Sequence, residues 1–211
     1  MSDCCAPDAA NQKQRSLLWI VLVLNALMFV VEFIAGWFAQ SSGLIADSLD
    51  MLADALVYGL SLYAVGRAAT FKARAAMVNG TLQLTLGCLV MVDVIKRIVL
   101  GSSPQMEIMY AIGFLALVVN ICCFLLLYQF RDGDVNMRAS WICSRNDMLA
   151  NAGVILSAWL VGRTASAWPD LLIGSLIALT VIVSATGVIR AARKVYQDEQ
   201  KAHSSCCSHP H

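Results

Sequence analysis

The sequence predicts an all-α integral membrane protein with six transmembrane helices and both termini cytosolic. Three observations predict it. Of 211 residues, 59% are hydrophobic and 14% charged, against roughly 25% charged in soluble domains, and the mean hydropathy is +0.68. The apolar residues fall into long runs separated by short polar links, each run long enough to cross about 30 Å of hydrocarbon as a helix. Of the 15 Lys and Arg residues, all but Lys96, Arg97 and Arg163 fall on the side of the two termini, and such an excess marks the cytosolic face.

The first span is expected over residues 17–38, with Asn25 and Glu32 seven apart and so on one face. The second, 44–66, carries Asp47, Asp50 and Asp54 inside "ADSLDMLADALVYG". The third, 77–99, ends in Asp93, Lys96 and Arg97, a spacing that predicts a local ion pair. The fourth, 106–128, is nearly all apolar apart from Asn120, which is expected to bond to a neighbouring helix. The fifth needs extension: "NDMLANAGVILSAWLVG" is short alone, and reaching back through "NMRASWICSR" gives a full helix over 137–163. The sixth, 169–190, opens on Pro169 and Asp170, where a proline fits the first turn and a negative charge suits the helix dipole.

The links between these runs leave no room for another domain. Residues 1–16 read as a cytosolic tail with the Cys4–Cys5 pair, 17–190 as the membrane domain, and 191–211 as a short cytosolic Cys/His tail. Eight cysteines scattered in this way do not make a disulfide framework, and Cys88, Cys122, Cys123 and Cys143 read as small packing residues. A net charge of +1 with no basic stripe gives no reason to expect nucleic acid. The first apolar run is too long, and its flank too mixed, for a cleavable signal peptide.

Carboxylates in the second span need a reason. Residues three, four and seven apart share a helical face, so Asp47, Asp50 and Asp54 line one stripe. Three buried aspartates cost on the order of 8–10 kcal/mol at full depth, so a cation, protons or water must compensate. The fifth span offers the matching surface, because Asp147 and Asn151 are four apart, with Ser144 on the same stripe. Asp50, Asp54, Asp147 and Asn151 together make an oxygen quartet suited to a divalent metal, zinc above all. The middle helix of each three-helix half bears a polar cluster, as in transporters built from inverted repeats. Asp47, Glu32 and Asn25 are candidates for a secondary metal or proton path, with interhelical hydrogen bonding as the alternative. Cys4, Cys5, His203, Cys206, Cys207, His209 and His211 supply soft donors for metal capture by the tails.

The stretch "NALMFVVEFIAGWFAQSSGLIADSLDMLADALVYGLSLYA" resembles the first two helices of the cation diffusion facilitators, and "WPDLLIGSLIAL" resembles their sixth. The resemblance implies a metal/proton antiporter in which Asp50, Asp54 and Asp147 stand at the family's metal-binding positions. Asn151 replaces an acid at the fourth, leaving three formal charges. It also implies the short branch without a C-terminal cytosolic domain, a homodimer, and a place among lipids in a bacterial inner membrane. The expected activity is export of zinc, cadmium, cobalt, iron or manganese from the cytosol, with the metal and protons as substrates and no cofactor. A metal-sensing membrane adaptor or ion channel using the tails is the alternative. An intramembrane aspartyl protease is disfavoured because its Tyr-Asp and Gly-x-Gly-Asp motifs are missing.

Overall fold

Helix boundaries in the computed structural model follow the breakers in the sequence. Six helices, and no strand, make up the described residues 6–63, 69–128 and 135–206. They are α1 (Ala6–Phe38), α2 (Ser42–Tyr63), α3 (Ala69–Leu100), α4 (Met106–Tyr128), α5 (Val135–Thr164) and α6 (Trp168–Cys206). Gln40 and Ala165 take left-handed backbone angles just after α1 and α5, and Gly101 does so after α3, where a residue without Cβ is the ordinary terminator. Ser41 stands just before α2 as its N-cap, its hydroxyl accepting the Leu44 N–H at 3.1 Å.

Apart from the start of α3, the ends between consecutive helices lie within about three residues of expectation, and α5 begins at Val135 as the extended reading required. The outer ends differ. Helix α1 begins at Ala6, α3 at Ala69, and α6 continues past residue 190 to Cys206, so most of the two expected tails is helical backbone. The reason is local: "RAARKVYQDEQKAHSS" contains no proline or glycine, and helix needs no apolar run to continue. Helices α1 from Arg15, α4 and α6 are long and apolar enough to cross a membrane by length and composition. In α2 the three aspartates interrupt an otherwise apolar run.

Packing divides the helices into a four-helix group, α1, α2, α4 and α5, and a close α3–α6 pair laid against α2. At Gly80 and Gly87 of α3 an added Cβ would lie 2.8 Å from Ile189 and Ile182 of α6, so small residues set this approach. Outward faces remain apolar: Val78, Leu89, Val92 and Val99 of α3 are exposed, as a lipid-facing surface requires.

Antiparallel registers fix the levels. Gly36 meets Leu44 and Ile45, Met28 packs with Met51, and Val21 with Tyr58. Across α4 and α5, Gly113 meets Val154, and the Ser144 hydroxyl donates to the Asn120 carbonyl at 3.4 Å. Asn25, Asp54, Asn120 and Asp147 therefore come within about one turn of a common level, one from each helix of the group.

A single carboxylate ties α2 to α6. Asp170 accepts the Ser41 hydroxyl at 2.6 Å, the Ser42 N–H at 2.7 Å and the Gly43 N–H at 3.0 Å. It thus caps the N-terminus of a second helix while standing in the first turn of its own, and both dipole ends favour the negative charge. The backbones touch there: a Cβ on Gly174 would lie 2.7 Å from the Ser42 carbonyl carbon.

Candidate metal centre

Asp54 and Asp147 meet inside the four-helix group. Both are buried, and their carboxyl groups lie within hydrogen-bonding reach of one another; a bond between them needs one of the two to carry a proton. The Tyr58 hydroxyl, one turn along α2, donates to Asp54 Oδ2 at 3.0 Å. Asn151 is fully buried one turn from Asp147 and donates its Nδ2 to the Asp147 backbone carbonyl at 2.7 Å. Among the described residues its Oδ1 has no donor, so the oxygen can accept a hydrogen bond or bind a cation.

Asp50 is placed differently. It is less buried than Asp54 and lines a groove of about 300 Å³ between α2, α5 and α6, with Asn146, Ala150, Gly153, Ile177 and Thr180. The four expected ligands thus lie along two adjoining surfaces, Asp54, Asp147 and Asn151 within the group and Asp50 one turn away on the groove. Among the described residues no three His, Cys, Asp or Glu side chains are gathered into a ready metal cage. Binding all four to one ion needs Asp50 to turn inward or the helices to shift.

The secondary candidates separate as well. Glu32 faces Asp47 across the α1–α2 contact; both are fully buried, their carboxyl groups lie within hydrogen-bonding reach of one another, and among the described residues no other group donates to either. Asn25 stands two turns away; its Nδ2 donates to Val21 O of its own helix at 2.9 Å and its Oδ1 has no donor. Among the described residues the Asn25 side chain makes no interhelical hydrogen bond, the alternative to a metal or proton path. Asn120 does bond to α5, but through its backbone carbonyl, and its Nδ2 has no acceptor. Asp93 pairs with Arg97 as the spacing predicts.

Among the tail donors, Cys4, Cys5, Cys207, His209 and His211 lie outside the described residues, as do the side chains of His203 and Cys206. Sequence reasoning missed Tyr58 and Asn146, although Tyr58 carried a signal: it is four residues from Asp54 on the same stripe. Cys123, read as a packing residue, is buried against Tyr58 and lies near the Asp54–Asp147 pair.

What the arrangement can do follows from its chemistry. Two acids from different helices, an amide oxygen and a third acid on an adjoining groove can exchange protons for a cation without a covalent step.

Residues 18–195 match the family described as the cation efflux transmembrane domain. The metal cation efflux system protein CzcD of Cupriavidus metallidurans is 27% identical over 83% of this chain and 59% of its own length. A cadmium, cobalt and zinc/H(+)-K(+) antiporter of Bacillus subtilis is 25% identical over 87% of this chain and 62% of its own. Zinc transporter ZitB of Yersinia pestis is 25% identical over 82% and 60%. The chain thus spans about three-fifths of the length of these relatives. With a match that runs from the first helix into the sixth, the chain belongs to the cation efflux transmembrane domain family.

Proposed function

We propose that this chain exports divalent metal ions, zinc, cadmium or cobalt, from the cytosol in exchange for protons. The observation that carries the reading is the meeting of Asp54 and Asp147, acids from two helices, at a level shared with two buried amides. A hydrogen bond between them would need a proton, and a divalent ion in its place would need both acids ionised. Asp50 on the groove takes the incoming ion first, and Asp54, Asp147 and Asn151 then share it. Protons from the far side neutralise the carboxylates and release the metal. The names of the relatives, which include zinc, cadmium, cobalt and protons, support the choice of ions. The lopsided Lys and Arg distribution supports two cytosolic termini.

The test is metal uptake into proteoliposomes of the purified full chain, over a panel of divalent ions, with and without an imposed pH gradient. Asp54→Asn and Asp147→Asn are expected to insert normally and lose at least tenfold in gradient-driven uptake. Wild-type flux from both variants, or flux indifferent to the gradient, refutes the proposal; the latter outcome is that of a channel.

A further inference from the structure

We infer that Glu32 and Asp47 form a second internal site, one that holds a shared proton rather than a metal ion. The exchange proposed above needs neither residue. Both are completely buried, and the register that sets Gly36 against Leu44 and Met28 against Met51 brings them face to face. Among the described residues no group other than the partner acid is within hydrogen-bonding reach of the four carboxylate oxygens. The neighbouring donors are committed elsewhere: the Ser48 hydroxyl donates to Ile45 O at 2.7 Å, and the Asn25 amide to Val21 O.

Among the described residues no positive charge compensates. The charged groups that act on the pair are themselves acids, Asp50 on α2 and Asp147 on α5. Helix α4, packed on α1 through Ala116 and Met28, carries only Glu107, exposed in its first turn. Two ionised carboxylates cannot share such a space, because burial and mutual repulsion both oppose the second charge. One proton between them resolves this: the acid donates to the carboxylate, and each residue gains a short, charge-assisted bond.

A divalent metal fits less well. Zinc takes four ligands, and among the described residues no third acid, histidine or cysteine joins the two. Asp47 stands one turn from Asp50 on the same stripe, so the proton is held next to the groove and in line with Asp54 and Asp147. The existence of this site does not depend on the exchange reading; its use as a proton store in transport rests on that reading.

The experiment is infrared spectroscopy of the metal-free full chain in lipid nanodiscs at neutral pH, reading the carbonyl stretch of protonated carboxylic acids. Wild type is expected to show two such groups per chain, one from Asp54–Asp147 and one from Glu32–Asp47. Glu32→Gln and Asp47→Asn, which keep shape and supply an N–H donor, are each expected to remove one and leave the other. Asp54→Asn serves as the converse control, and helix content by circular dichroism shows that each variant is folded. An unchanged spectrum in Glu32→Gln and Asp47→Asn overturns the inference. So does the loss of one bound zinc per chain in either variant by calorimetry, which would make the pair a metal site. Failure of transport in vesicles leaves the infrared result standing, so the two proposals fail separately.

Discussion

Replacing Asp170 by alanine removes a side chain that hydrogen-bonds α2 to α6, and the size of the effect follows from its bonds. The carboxylate accepts three donors at 2.6, 2.7 and 3.0 Å, two of them backbone N–H groups. Hydrogen bonds to charged groups contribute about 1.5–3 kcal/mol each, which gives roughly 5–9 kcal/mol as a gross figure. Burying the charge offsets part of this, while each buried donor left without a partner costs about 1–3 kcal/mol. We therefore expect Asp170→Ala to destabilise the fold by about 3–5 kcal/mol. Asp170→Asn, which keeps one acceptor oxygen but turns an amide towards a donor, falls between alanine and wild type. At about 2–4 °C per kcal/mol for a chain of this size, the alanine variant should melt on the order of 10 °C lower. Thermal unfolding in detergent, followed by circular dichroism, measures this. A double-mutant cycle with Ser41→Ala should give a coupling of about 1–3 kcal/mol. A melting temperature equal to wild type, or strict additivity in the cycle, refutes the assignment of Asp170 as the α2–α6 tie.

Two further outcomes are expected. Gly174→Ala places a methyl 2.7 Å from the Ser42 carbonyl carbon, and since that neighbour is backbone, α2 must move away from α6. We expect a loss of about 1–3 kcal/mol, read by the same melts, with no effect if the helices are free to separate there. Acidification should weaken zinc binding, because protons and metal compete for the same oxygens: as pH falls the acids protonate, and the metal loses ligands. The apparent Kd should rise about tenfold per pH unit for each proton displaced, measured by calorimetry across pH. An affinity independent of pH would separate metal binding from the carboxylates.

Local pattern determined much of this protein. Six apolar runs and their breakers predicted the helices, because membrane thickness and backbone hydrogen bonding leave little other choice. Spacing alone placed Asp47, Asp50 and Asp54 on one stripe and Asp147 beside Asn151. The helical ends beyond the apolar runs were not foreseen, since hydropathy marks what lipid tolerates rather than where a helix stops. Which carboxyls meet was decided only in three dimensions. A stripe wide enough to hold three aspartates touches more than one neighbour, so Asp47 turns to Glu32 on α1, Asp50 to the groove beside α6, and Asp54 to Asp147 on α5. Asp170, legible in sequence as a first-turn acid of its own helix, also caps a helix that begins more than a hundred residues earlier. Periodicity describes one helix at a time; the partners on each face are set by how helices distant in sequence pack, and no local pattern contains that.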